Sequence, residues 1–370
     1  MTTPDDPAPR DARGAGTRVV HAGLPPAADG EPLLPGPVFA SLFHLAGDIP
    51  EGGGADGGPL PYARYGNPTW RRYEEALSGL EGGEAVLFSS GMAAVWGVLG
   101  AFLAAGDVLV APVDGYPGIR ELAEGPLARL GVEVRLVPSE TEVLLAAVEG
   151  ARIVWAESPS NPGLTEVDVG ALAGAAHAAG ALLAVDGTLA TPLRRRPLEH
   201  GADLAMSSAS KHLTGHSDLV LGYVAARDPE HAAALRRMRT LGGGIPGPFE
   251  AWLAHRSLAT LDVRLERQER TAAALVAALE ARGDVRDVRY PGFGSVVCFT
   301  LASADAARAF LGALTLVVEA TSFGGVHSTA ERRGRWPADA VPAGFIRFSI
   351  GVESPDDVLA DVLQSLDASR

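Results

Sequence analysis

The sequence predicts an α/β fold: a large domain on a mostly parallel sheet, followed by a smaller α+β domain. Three observations carry this. Between about residues 85 and 207, short continuous apolar runs of strand length alternate with helix-length segments, the pattern of parallel strands covered on both faces. The stretch Gly242-Gly243-Gly244-Ile245-Pro246-Gly247-Pro248 then breaks the chain. Beyond it, a long helical periodicity gives way to a second group of strands. A length of 370 residues is also long for one core.

The elements follow in order. Residues 1–17 are polar and rich in Pro, Asp and Gly, and read as a disordered tail. Residues 18–60 have little periodicity, with a flexible loop at 52–59. Together, 1–60 form a tail and an irregular arm suited to wrapping a partner subunit. The large domain is placed at 61–245. Tyr62 and Arg64 precede the turn Asn67-Pro68 in extended conformation, and a helix continues from Trp70 to Leu80. Strands are expected at 85–88, 108–111, 132–137, 152–156 and 181–185, with helices ending near 104, 130, 149 and 179. Apolar runs on either side of Lys211 add two more strands. The C-terminal domain, 246–370, begins with helical periodicity from Phe249 to about Arg282. Strands at 287–290, 295–301, 316–319 and 346–351 follow, with helices at 304–314 and 355–366.

In open α/β sheets ligands bind at the carboxyl ends of the strands, and the notable residues fall there. Ser90-Gly91-Met92 joins a strand to a helix, giving free N–H groups at the positive end of a helix dipole; the same residues also fit an ordinary tight turn. Glu157-Ser158-Pro159-Ser160-Asn161-Pro162 ends a second strand. Asp186 ends a third, where a carboxylate suits a protonated ring nitrogen, although a turn aspartate reads the same way. Ser208, Ser210 and Lys211 end a fourth. A lysine among small residues has little to pack against and is placed to join an aldehyde. Tyr62 and Arg64 could hold a phosphate; a surface arginine is the plain alternative.

Composition narrows the function classes. The net charge is −14, from 31 basic and 45 acidic residues, which argues against nucleic acid or an anionic membrane as partner. No apolar run reaches membrane-spanning length and no signal-like segment opens the chain, so a cytoplasmic location is expected. The single cysteine, Cys298, lies in a strand-like run and reads as a packed thiol. His212 and His216 are four apart, but Thr214-Gly215 interrupts any helix between them, and no metal site is expected.

Taken together these motifs resemble the Cys/Met-metabolism enzymes that depend on pyridoxal 5'-phosphate (PLP): the cystathionine γ-lyase, cystathionine γ-synthase and methionine γ-lyase type. The resemblance runs from about residue 17 to the C-terminus. It rests on Tyr62 to Thr69, Ser90 to Ala94, Glu157 to Pro162, Val185 to Pro192, Ser208 to Lys211, Gly215 to Asp218 and Arg347 to Glu353. It implies the fold type I PLP-dependent transferase fold and PLP as cofactor. Lys211 then looks like the Schiff-base lysine and proton shuttle, and Asp186 like the partner of the pyridinium nitrogen. Gly91 and Met92 N–H groups, with the Ser208 and Ser210 hydroxyls, would hold the phosphate. Tyr62 and Arg64 would reach the phosphate of a neighbouring subunit. Tyr116 would stack on the ring and handle a proton. Asn161 would contact the ring oxygen or the substrate carboxylate. Arg347, with Ser322 nearby, would grip the α-carboxylate of a small amino-acid substrate. A homotetramer, a dimer of dimers with shared sites, is implied as well.

The implied activity is a carbon–sulfur lyase of the cystathionine γ-lyase type, giving cysteine, 2-oxobutanoate and ammonia. The alternatives are γ-replacement, a methionine γ-lyase-like enzyme or a specialised-pathway lyase. A non-catalytic relative would be expected to lack Lys211 or Asp186, and both are present. Some positions depart from the family pattern. Gly187 stands where Asn is common, His212 where an aromatic is common, and Gly118 where methionine γ-lyases tend to have Cys. The stretch Val326 to Trp336 replaces a family segment that carries Glu and then His-Pro. His327 stands where an acid is expected in cystathionine-cleaving relatives.

Overall fold

The computed structural model describes residues 13–45, 47–48 and 60–369. Most of the expected tail and the loop 52–59 lie outside the described residues. The end of the tail is corrected: Ala15–His21 is a helix, α1, which buries Val19 in the first core. The arm that follows is irregular as expected, yet tied to its own chain. Trp252 Nε1 donates to Pro35 O at 3.0 Å and Val38 N to Thr69 Oγ1 at 2.9 Å. Leu33, Phe39 and Leu42 remain exposed on it. Residues 62–66 form turns, Tyr65 N to Tyr62 O and Gly66 N to Ala63 O, where an extended segment was expected.

Helix α2, Pro68–Glu81, starts as an Asn-Pro sequence dictates. Asn67 accepts from Thr69 N, and Pro68 fills a position whose N–H would have no partner. Then come β1 (Glu84–Phe88), α3 (Gly91–Phe102), β2 (Val108–Pro112), α4 (Pro117–Leu122) and a π turn over Ala123–Leu127. They are followed by β3 (Glu133–Val137), α5 (Thr141–Ala147), β4 (Ile153–Glu157), α6 (Val169–Ala178) and β5 (Leu182–Asp186). The short α7 (Thr191–Arg194), β6 (Leu204–Ser207) and β7 (Gly222–Ala226) complete this part.

These strands form one sheet in the order β1-β7-β6-β5-β4-β2-β3. All neighbours pair in parallel except β7, which runs antiparallel to β6 and β1. Alternation along the strands feeds two cores. In β4, Val154 and Ala156 enter one with α2 and α6, while Ile153 and Trp155 enter the other with α3.

The rest of the chain comprises α8 (Pro229–Gly242), α9 (Pro248–Leu258), α10 (Leu261–Glu280), β8 (Arg286–Arg289), β9 (Val296–Thr300) and α11 (Ala304–Ala313). β10 (Val318–Glu319), β11 (Thr329–Arg332), β12 (Phe345–Ser349) and α12 (Pro355–Ala368) follow. The second sheet has the order β10-β11-β12-β9-β8 and buries Phe299, Ile346 and Phe348 in one core with α10, α11 and α12, where Phe310 of α11 meets Phe299.

The helical stretch expected over 249–282 is two helices, parted at Ala259–Thr260. Helix α9 and the start of α10 place Ala251, Ala254, Leu258 and Leu265 in the first core. Packing therefore crosses the glycine-rich break, and we propose the 245/246 domain boundary as a change of sheet rather than of core.

Candidate active site

Three adjacent parallel strands, β4, β5 and β6, deliver Glu157, Asp186 and the Ser208–Lys211 turn to one edge of the first sheet. Between this edge and the second sheet lies a cavity of about 450 Å³. It is lined by Gly91, Met92, Tyr116, Asn161, Asp186, Ser208, Ser210, Lys211, Ser322 and Arg347 among others, so most of the residues singled out in the sequence meet here. A larger cleft, about 690 Å³, lies between the N-terminal segment and α2, and none of those residues lines it.

Lys211 follows β6 through a tight turn in which its N–H donates to Ser208 O. Its Nζ donates to Ser322 Oγ at 2.8 Å and lies 5.2 Å from the centre of the Phe323 ring. Ser322 holds a left-handed backbone conformation, φ 82°, unusual for a residue with a side chain. Burial and the Arg347 charge lower the Lys211 amine to about 8, against the pull of Asp186. Lys211 is also the only lysine of the chain.

Asp186 is held by Thr188, whose N–H and Oγ1 both donate to Oδ1, at 2.9 and 2.5 Å. Thr188 Oγ1 in turn accepts from Ser208 N at 2.8 Å, so one hydroxyl locks two strand ends together. Beside Asp186, Glu157 accepts from Tyr116 N through Oε2 at 2.6 Å and from Asn161 N through Oε1 at 2.7 Å. Burial first, and then the neighbouring Asp186 charge, push the Glu157 carboxyl well above the usual range. Burial also raises Asp186, opposed by the Thr188 hydrogen bonds and by Lys211. In the sequence Glu157 stands only as the first residue of the Glu157 to Pro162 motif. The strand-end position that marked Asp186 marks it equally.

The turn before α3 is capped by Ser90, whose Oγ and backbone O accept from Ala93 N and Ala94 N. The N–H groups of Gly91 and Met92 are left without a protein partner among the described residues, as at any helix start. A Cβ on Gly91 would stand 3.0 Å from Ser208 Cβ and Oγ, so glycine lets the two segments close on one another. Ser210 lines the cavity as well. Its hydroxyl donates to Leu221 O and accepts from Leu221 N, leaving Ser208 as the hydroxyl facing the α3 start.

From the second sheet, Arg347 on β12 reaches across to Asn161 Oδ1 at 2.6 Å and donates to Ser322 O at 3.2 Å. Glu331 Oε2 accepts from it at 3.0 Å. Burial and the neighbouring Arg333 lower Arg347 to about 10. Tyr116 stands at the mouth of the cavity, and burial followed by the Glu121, Asp186 and Glu157 charges raises its phenol. A Cβ at Gly118 would come within 2.7 Å of the Tyr116 ring.

Tyr62 and Arg64 do not line the cavity of their own chain; the Arg64 guanidinium lies over the Tyr62 and Tyr65 rings, 5.6 and 5.3 Å from their centres. His327 is exposed and outside the lining. His212 is buried, its Nε2 is 2.8 Å from Ser295 Oγ, and burial lowers it to about 3, so it is neutral. Its ring ties the Lys211 turn to the second sheet. From the unusual stretch 326–336 the structure also brings Arg333 to the cavity wall, with Glu331 behind it.

The residues suit PLP on three counts. Asp186, a buried carboxyl of raised proton affinity beside Glu157, suits the protonated nitrogen of a pyridine ring. Unpartnered N–H groups at a helix start beside Ser208 suit a phosphate. A buried amine of lowered basicity suits an aldehyde carbon.

A family model described as Cys/Met metabolism PLP-dependent enzyme matches residues 17–367. A Streptomyces coelicolor protein provisionally named cystathionine gamma-lyase is 52% identical, with 96% of this chain and 94% of that protein covered. A Bacillus subtilis protein named cystathionine gamma-synthase/O-acetylhomoserine (thiol)-lyase is 33% identical, with 89% and 90% covered. The crystal structure of metB from Corynebacterium glutamicum superposes with a TM-score of 0.90 at 31% identity, covering 97% of this chain and 99% of that one. Other relatives carry the names cystathionine beta-lyase and methionine gamma lyase. The fold and the cofactor are therefore those of PLP-dependent enzymes, and the chain belongs to the Cys/Met metabolism family of PLP-dependent enzymes.

Proposed function

We propose that this enzyme is a carbon–sulfur lyase of the cystathionine γ-lyase type, which eliminates the sulfur-bearing group from cystathionine or a related γ-substituted amino acid. The observation that carries this reading is the meeting of Lys211, Asp186 and Arg347 in one cavity. The products would be cysteine, 2-oxobutanoate and ammonia.

Lys211 would hold the cofactor covalently, Asp186 its ring nitrogen, and Gly91, Met92 and Ser208 its phosphate, with Ser210 bracing the turn through Leu221. When bound, PLP supplies an electron sink for bonds at the carbon bearing the amino group. Arg347 and Asn161 then orient the substrate through its α-carboxylate, with Ser322 supporting both Arg347 and Lys211. So that the γ-substituent can leave, Lys211 would also serve as the base that takes the proton from Cα and then one from Cβ. Its value of about 8 keeps an appreciable share unprotonated near neutral pH. Tyr116, whose phenol is raised, stays protonated and is placed to give a proton to the departing sulfur.

Tyr62 and Arg64 do not line their own cavity, which supports their serving the phosphate site of a second copy. We extend the proposal to a homotetramer, a dimer of dimers, and to a cytoplasmic location, for which the one buried free thiol is the supporting feature. Among the described residues no helix is long and apolar enough to cross a membrane.

The second reading, γ-replacement, is favoured by relatives named cystathionine gamma-synthase. A product assay separates the two. The PLP-loaded enzyme is given cystathionine, methionine, homocysteine, cysteine and O-acylhomoserines, the last with and without cysteine. Cysteine and 2-oxobutanoate from cystathionine support the lyase. Cystathionine formed from an O-acylhomoserine plus cysteine, with no cleavage of cystathionine, overturns it in favour of replacement.

A further inference from the structure

Arg333 begins a short 3-10 turn after β11 and lines the cavity together with Tyr116 and Arg347. Its guanidinium is fixed from behind. Nε and Nη2 both lie 2.6 Å from Asp339 Oδ2, Nη1 donates to Glu331 Oε2 at 3.0 Å, and the ring of Trp336 is 5.7 Å away. Glu331 Oε2 also accepts from Arg347, its in-register neighbour on β12, and Oε1 accepts from Trp336 Nε1. Glu331 and Asp339 have side chains 3% and 0% exposed, and Arg333 only 7%.

One buried carboxylate thus sets two guanidiniums side by side on the cavity wall. These contacts use part of the donor set of Arg333, and one hydrogen on each terminal nitrogen remains. Such a pair of N–H groups on a rigid fork matches a carboxylate. A guanidinium kept in a low-dielectric wall beside a like charge is costly to leave facing an apolar group. Cystathionine, the substrate of the proposed activity, carries a second carboxylate at the far end of its side chain; Arg347 takes the first, and nothing in that reading occupies Arg333.

We propose that Arg333 determines specificity by reading a carboxylate at the far end of the substrate side chain, so that the cavity selects amino acids with a distal carboxylate over those with an apolar end. This rests on the reading of Arg347 as the α-carboxylate group. His327, exposed and outside the lining, does not supply a counter-charge that would favour a distal ammonium instead.

The test is binding, without turnover. Calorimetric titration of the PLP-loaded enzyme with L-glutamate, L-2-aminoadipate, L-2-aminopimelate and L-norleucine reads the preference for a distal carboxylate, since none of these carries a leaving group. At least one dicarboxylic amino acid should bind roughly ten- to a hundredfold tighter than norleucine. The pair Arg333→Met with Asp339→Asn removes the charge and its buried partner together, and the ratio should collapse toward one. Arg333→Lys, which keeps the charge against Asp339 and loses the fork, should keep an intermediate ratio. Equal affinities in the wild type, or a ratio that survives the paired substitution, overturns the proposal while leaving the amino-acid site intact. Failure of the wild type to bind any of the four overturns the Arg347 reading and this one with it. Should the paired variant not fold, the wild-type ratio and Arg333→Lys decide.

Discussion

Glu157 and Asp186 are in-register neighbours at the carboxyl ends of β4 and β5, two carboxyl groups set side by side with raised proton affinity. They divide the work. Among the described residues no donor reaches Asp186 Oδ2, while both oxygens of Glu157 are spent on the backbone N–H groups of Tyr116 and Asn161. An amide at 157 can satisfy one of those N–H groups but turns its own donor toward the other. Glu157→Gln should therefore displace Tyr116 and Asn161 and change KM and kcat together, with cofactor still bound. Asp186→Asn should instead lower kcat, by roughly a hundredfold or more, with less effect on KM. Steady-state kinetics with spectra of the bound cofactor separate the two, and near-normal kcat in Asp186→Asn would contradict the assigned role.

The lowered Lys211 amine gives a pH signature. A free lysine near 10.5 would be almost fully protonated at pH 8, whereas this one is about half unprotonated there. Only the unprotonated amine attacks an aldehyde. The rate at which PLP recombines with the cofactor-free enzyme should rise with pH and level off above about 8. Arg347→Met removes a positive neighbour and should move the inflection upward. A wild-type inflection near 10.5 would mean that the amine is not desolvated as described.

Arg64 and Lys211 should belong to different copies of a shared site. Arg64→Ala and Lys211→Ala enzymes, each inactive or nearly so, should regain activity when unfolded and refolded together. One site in such a mixed pair then carries both native residues. No recovery in verified mixed oligomers would place Tyr62 and Arg64 outside the phosphate site.

The packing of α8 has its own test. Arg239 Nη1 donates to Glu74 Oε1 at 2.6 Å and to Leu87 O at 2.8 Å, with the guanidinium over Trp70. Arg239→Met leaves the buried Glu74 carboxylate with the Leu87 N–H but without its guanidinium partner and should cost roughly 3–5 kcal/mol. Denaturant unfolding measures this directly, and an unchanged midpoint would show the ion pair to be dispensable.

Helix α8 also marks where sequence reading stopped. Its buried face carries Arg239 beside Ala232 and Leu235, and it runs directly into the glycine-rich break, where no helix is expected. The parallel strands were legible because continuous apolar runs have few other meanings, and the residues at their ends were legible because that is where an α/β sheet binds ligands. Glu331 and Arg333 were not. In the chain they sit in Ala330-Glu331-Arg332-Arg333-Gly334-Arg335, which reads as a solvated loop, and only pairing with Arg347 on β12 buries them. His327 drew attention as a departure at an expected substrate position, but the backbone turns its side chain to solvent. Helix α1 was masked by the Pro- and Gly-rich residues around it.

The central claim is that Lys211 is the covalent anchor of the cofactor. Because the chain has no other lysine, the α-amino terminus is the only competing amine. The PLP-loaded enzyme is reduced with borohydride, digested, and its peptides are weighed. Phosphopyridoxyl mass on the peptide containing Lys211 is the predicted result, with loss of the absorbance band near the visible edge in Lys211→Ala. Label confined to the terminal amine, or no label on an enzyme that binds PLP and turns over substrate, would contradict it.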